Sequence, residues 1–128
     1  MKCTYCSIEA DTLDHVIPRS YSYNQSYAKK YVVPACKQCN STLSDKCHLT
    51  IADRAAYLLR RYKQKHKKEM NSPLWTEEEI SELGYNLQSE VRAAQYNREL
   101  WAIRMEHLQL ISESNLQIED CWSDISME

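Results

Sequence analysis

Two cysteine pairs, Cys3-x-x-Cys6 and Cys36-x-x-Cys39, bracket the first third of the chain. Two residues between paired cysteines let both thiolates reach one tetrahedral ion, and two such pairs complete a structural zinc shell. One pair arises easily by chance; two that flank a compact segment do not. Cys47 and Cys121 lie outside that spacing. Inside the bracket stands LDHVIPRS, residues 13–20, with Asp14 and His15 adjacent. A carboxylate is a good ligand for a hard cation, and a neutral imidazole is a good general base near pH 7. Asn40 follows the second cysteine pair directly, where its side-chain oxygen can serve as a second ligand if a helix starts there.

The surrounding elements must hold these groups in place. Leu13–Ile17 reads as a short strand ending at Pro18. Neighbours on a regular strand face opposite sides, so Asp14 and His15 share a site only near a strand end or irregularity. Residues 50–70 read as a helix, with Thr50 as N-cap and Ile51, Ala55, Leu58, Leu59 and Tyr62 as its apolar stripe. Asn71 and Pro73 stop it. Thr76 caps a second helix, expected over about 77–112, with a weak point at Gly84 and an apolar face of Ile80, Leu83, Leu87, Val91, Ala94, Trp101, Met105 and Leu108. That helix either packs on helix 50–70 or pairs with a copy of itself or a protein partner. Residues 113–128 form an acidic tail, expected to be loose.

Composition points the same way. The 128 residues include one Gly and no Phe, which disfavours a turn-rich β-sandwich. No apolar run reaches the ~20 residues of a membrane-spanning helix, and MKCTYCSIEA lacks the apolar core of a signal peptide. The expected compartment is the cytoplasm, or a host's cytoplasm for a phage protein, where cysteines bind metal or stay reduced. Residues 1–70 carry 13 Lys/Arg and 6 Asp/Glu, net +7, whereas residues 71–128 carry 3 and 12, net −9. A basic half beside an acidic half suggests that one face meets a polyanion.

CTYC…LDHVIPRS…VVPACKQCNSTLSDK resembles the HNH endonuclease family, in its zinc-containing, treble-clef-like form with a cysteine pair on each side of the core. The region from Thr50 to about Leu108 resembles, more loosely, the helical extension of small phage and bacterial members. The resemblance implies an α+β fold: a zinc-stapled ββα-metal core over residues 1–49, a helical extension over 50–112 and the tail. It implies a metal-dependent DNA endonuclease that leaves a 5′ phosphate and a 3′ hydroxyl. Asp14 and Asn40 would bind one divalent cation (Mg²⁺, Mn²⁺, Ni²⁺ or Zn²⁺), His15 would be the base, and Cys3, Cys6, Cys36 and Cys39 would hold the structural zinc.

Two positions depart from the family pattern. Tyr31 stands where the family has its central Asn, so the brace for the histidine loop falls to Tyr31 or to Asn24. Leu43 replaces a lysine, with Lys46 three residues on. The competing reading is a weakened or inactive zinc module that binds nucleic acid or a partner protein, and a third is an adaptor that oligomerises through the long helix. For DNA contact the sequence offers Arg19, Lys29, Lys30 and Lys37 near the motif and Arg60, Arg61, Lys63, Lys65, Lys67 and Lys68 on the helix. Phosphate contacts of this kind supply affinity without reading sequence. Tyr21, Tyr23 and Tyr27 either stack on bases or fill the core of a domain without Phe, the second being favoured.

Overall fold

A computed structural model describes residues 1–16, 32–44, 48 and 50–122. Among them the chain is α+β, with a two-stranded antiparallel sheet followed by helices. β1 is Thr12–His15 and β2 is Val32–Ala35, in the register Thr12 to Ala35, Leu13 to Pro34, Asp14 to Val33 and His15 to Val32. Pro34 is tolerated because a two-stranded sheet consists only of edges. The Pro34 carbonyl accepts from the Thr4 amide at 2.9 Å, which ties the first cysteine turn to β2. That turn closes through Cys3 N–H to the Ile8 carbonyl and Ser7 N–H to the Cys3 carbonyl, with Ser7 in the left-handed region at φ 72°.

Helix α1, Lys37–Leu43, starts directly behind the second cysteine pair, and Cys36 is its N-cap, accepting from the Cys39 amide at 3.4 Å. Helix α2 is Ile51–Lys65, capped by the Thr50 hydroxyl on the Asp53 amide at 3.0 Å, as the sequence leads one to expect. Its buried face is Ile51, Arg54, Ala55, Leu58, Leu59 and Tyr62, a stripe at helical spacing that contains one arginine. His66 ends it, and a short α3, Lys67–Asn71, follows in place of one helix over 50–70.

The single helix expected over 77–112 is two. α4, Glu77–Ser81, opens with a capping box between Thr76 and Glu79. The chain leaves helical geometry at Leu83–Gly84, and α5 runs Tyr85–Ser112. The break does not need glycine for space, since a Cβ at Gly84 would meet nothing within 4 Å, and its φ of −64° suits any residue. Glycine's low helix propensity and its acceptability as an N-cap favour a stop there, and the Gln88 side chain caps the Leu83 carbonyl at 2.7 Å.

One hydrophobic core runs from the cysteine cluster through Val16, Val33, Ala35 and Leu43 to Ile51, Leu58 and Tyr62 on α2 and Met105 and Leu108 on α5. Only the C-terminal part of the anticipated apolar face of α5 joins this core. Leu87 is exposed and Val91 half-buried, while Tyr96, Leu100, Ile103 and Leu110 lie on another, solvent-facing side. The start of the acidic tail is ordered: Leu116 and Ile118 pack against the core, and a 3₁₀ turn, Ile118–Trp122, lies beside β2. Among the described residues no helix is long and apolar enough to cross a membrane.

Candidate zinc and HNH site

Cys3, Cys6, Cys36 and Cys39 converge. Their sulfurs lie within 4.8 Å of one another and all four residues are buried. Cys6 and Cys36 sulfurs are 3.7 Å apart, close to the about 3.8 Å edge of a tetrahedron with Zn–S bonds of about 2.3 Å. None of the four is in a disulfide. The donor set fits a structural zinc: four thiolates, tetrahedral spacing, two short turns that fix the ligand pairs. Without a cation, so many buried thiols cannot all ionise. Hydrogen bonds within the cluster lower Cys36 to about 7, with Cys3 the main donor, and Cys6 further, while Cys3 and Cys39 rise because they hold the protons. A bound dication would replace those protons.

The helical extension completes this centre. The Tyr62 hydroxyl from α2 donates to Cys39 Sγ at 3.2 Å, and Arg104 Nη2 from α5 donates to Cys36 Sγ at 3.7 Å. Arg104 also stacks on Trp101, 4.0 Å from the ring centroid, and donates to Gln38 Oε1 at 3.0 Å. A zinc with four thiolates is doubly negative, and donors of this kind offset that charge and fix the ligands. His107 Nδ1 on α5 lies 2.9 Å from the Tyr5 carbonyl, between the first two cysteines and the helix.

The residues of the LDH motif separate at the sheet. Asp14 leaves β1 on the inner face and is 1% exposed; Leu13 and His15 leave on the other, with Leu13 exposed and His15 half-buried. Asn40, on α1, reaches the strand one step earlier: its Nδ2 donates to Thr12 Oγ1 and to the Leu13 carbonyl, each at 3.1 Å. The helix start after Cys39 therefore brings Asn40 to the edge of the Asp14 strand. Arg19, Asn24, Lys29, Lys30 and Tyr31 lie outside the described residues.

Arg54, not singled out from the sequence, engages Asp14 completely. Its Nη2 donates to Asp14 Oδ1 at 2.8 Å and Oδ2 at 2.7 Å, and its Nε to Oδ2 at 3.0 Å. Its Nη1 donates to the Val16 and His48 carbonyls at 3.3 and 3.0 Å. The Tyr5 hydroxyl accepts from Arg54 Nε at 3.0 Å and donates to Asp14 Oδ2 at 2.5 Å. Burial, then the Asp14 charge, pushes the Tyr5 hydroxyl well above the usual tyrosine range, so it remains a donor. Arg54 is 0% exposed. In this arrangement both oxygens of Asp14 accept from Arg54, and Oδ2 accepts from Tyr5 as well. A signal was present in the sequence: position 54 falls between Ile51 and Leu58 on the apolar stripe of α2, where a charged side chain needs a buried partner.

The helical cations expected to contact DNA are exposed. Arg60, Arg61, Lys63 and Lys65 on α2 and Lys67 and Lys68 on α3 all face solvent, as does Lys37 at the start of α1. Arg61 and Lys65 line an open groove of about 480 Å³ together with Ser41 and Thr42 of α1, the helix that carries Asn40.

Residues 3–46, about a third of the chain, match the family model for HNH endonuclease. No curated protein and no solved structure matches the chain. The match spans both cysteine pairs, Asp14, His15 and Asn40, and stops before α2. It supports a nuclease-family assignment for that segment.

Proposed function

We propose that the protein is an HNH-type endonuclease that hydrolyses phosphodiester bonds in DNA, with His15 as the general base. The observation that carries this reading is His15 itself. It stands at the end of β1, half-buried rather than sealed in the core, inside the segment that matches the family and on a sheet held by the cysteine cluster. A phosphodiester resists hydrolysis because its negative charge repels nucleophiles, so an attacking water must lose its proton as it approaches. The imidazole of His15 would take that proton. Asp14 and Asn40 hold the places that the family gives to cation ligands, and Asp14 takes that role only in a state in which Arg54 has left it. The zinc centre would serve as scaffold and not as Lewis acid, since four thiolates leave a tetrahedral ion no open position.

The exposed cations on the helices would supply DNA affinity. Reversing Arg61, Lys65 and Lys68 to Glu is expected to weaken binding at least about tenfold on every duplex tested. The dependence on log salt should flatten by about 0.9 for each phosphate no longer neutralised. Fluorescence anisotropy across a salt series measures both quantities. An unchanged affinity and slope would leave these charges as a solvated surface.

A second reading, a zinc module that binds nucleic acid without cutting it, is favoured by the Arg54–Asp14 pair. End-labelled duplex incubated with the zinc-loaded protein and Mg²⁺, Mn²⁺ or Ni²⁺ separates the two. The nuclease reading expects products with a 5′ phosphate and a 3′ hydroxyl. Tight binding with intact duplex under every condition would establish the second reading instead.

A further inference from the structure

Arg54 and Asp14 come from elements forty residues apart in sequence, and their pairing decides what the carboxylate can bind. We infer that Arg54 is a positioning residue that holds Asp14 as its own counter-ion and so withholds it from divalent cations in the free protein. The inference rests on the proposed nuclease reading for its significance, but its chemistry stands on the contacts alone.

Both oxygens of the carboxylate are engaged by the guanidinium. Asp14 Oδ1 and Oδ2 are both within 2.8 Å of Arg54 Nη2, and the Tyr5 hydroxyl takes a further lone pair of Oδ2. The guanidinium is itself pinned, because its Nη1 is shared between the carbonyls of Val16 and His48. Both charged groups are buried, so water does not compete for either. A fork of parallel N–H donors on a carboxylate is the strongest and most directional form of ion pair available to a side chain. A dication cannot join this pair without bringing two positive charges against one carboxylate in a low-dielectric site. It must wait for Arg54 to leave. If the released form makes up less than about 1% of the molecules, the apparent affinity of Asp14 for a cation falls more than about a hundredfold below its intrinsic value.

The sequence arranges this pair as part of the fold. Arg54 lies on the core-facing stripe of α2, one turn from the Thr50 cap, and β1 presents Asp14 inward because Leu13 and His15 face outward. The extension outside the family match therefore supplies the group that governs a residue inside it.

The test is a Mn²⁺ titration of the full, zinc-loaded chain, following free Mn²⁺ by electron paramagnetic resonance. Wild type, Asp14→Asn, Arg54→Gln and the double variant are compared, with zinc content and circular dichroism as controls on folding. The expected result is that wild type and Asp14→Asn bind Mn²⁺ equally weakly, while Arg54→Gln gains one site at least about tenfold tighter, absent from the double variant. Arg54→Lys, which keeps the charge, should gain none. An Asp14-dependent Mn²⁺ site in the wild type, tenfold tighter than in Asp14→Asn, overturns the inference, as does a folded Arg54→Gln that gains nothing. Should Arg54→Gln fail to fold, the wild-type and Asp14→Asn pair still decides. DNA cleavage is assayed separately. A wild type that cleaves DNA and binds Mn²⁺ through Asp14 defeats the inference and spares the nuclease reading. A wild type that never cleaves, beside an Arg54→Gln that gains the site, does the reverse.

Discussion

Cys36→Ser should leave the purified chain without zinc and without its N-terminal unit. Cys36 has three tasks at once: it is one of the four converging thiols, it caps α1 through the Cys39 amide, and it accepts from Arg104 on α5. The strands it helps to hold have four residues each and form a sheet of only two, which has little stability alone. Structural zinc contributes about 10–16 kcal/mol in small zinc-dependent units, against about 5–15 kcal/mol of net stability for a typical domain. Losing a ligand, and with it tight zinc binding, therefore removes an amount comparable to the whole net stability of such a unit. Elemental analysis should find less than one tenth of the wild-type zinc. Amide spectra should lose dispersion for residues 1–44, while α2 and α5, which pack on each other, retain helical signal. Full zinc in Cys36→Ser, or a wild type purified free of chelator that holds none, would refute the zinc assignment.

The second large effect concerns the pair beneath the sheet. Arg54→Ala should cost about 3–5 kcal/mol, because it strands the Asp14 carboxylate in the core beside a tyrosine hydroxyl that can satisfy only part of it. Asp14→Ala should cost a similar amount by stranding the guanidinium. The two losses should not add. Replacing all three polar groups with apolar ones, Arg54→Met, Asp14→Leu and Tyr5→Phe, should recover much of the stability lost in either single variant, since a buried pair is weak evidence of net stabilisation while a broken pair is reliably harmful. Urea unfolding of the zinc-loaded variants measures each corner of the cycle. If Arg54→Ala proves neutral, the pair is not formed in solution as it is here, and the inference about Asp14 falls with it.

Local sequence makes part of this molecule legible. The cysteine spacing announces a shared ion, because ligand pairs on a short turn work through nearest neighbours. Thr50 and Thr76 announce their helices through caps three residues long. The stripe on α2 is likewise a local pattern. Long-range packing accounts for what the sequence hides. The break at Gly84 is masked by the periodicity, which resumes on its far side. α5 is exposed over most of its first half because only the short segment 72–83 of the described chain lies against it there, and no local signal says how far a partner element extends. Leu116 and Ile118 are two apolar residues in an acidic tail, enough to fix its start on the core. Arg54 is the instructive case. It belongs to the same stripe as Ile51, Ala55 and Leu58, yet in so basic a helix it passes for one more surface cation. A charged residue at a core position asks for a buried opposite charge, and Asp14 on the inward face of a strand is the candidate at hand.

The proposed nuclease stands or falls with His15 as the base that acts on a phosphodiester. Supercoiled plasmid incubated with zinc-loaded wild type or His15→Ala, in the presence of Mg²⁺, Mn²⁺ or Ni²⁺, tests it most directly. Wild type is expected to give nicked circles, and His15→Ala a rate lower by about 10²–10⁴, while zinc content and DNA affinity stay the same, because a general base acts in the chemical step. Equal cleavage by the two proteins, or no cleavage by wild type with any of these metals, would contradict it.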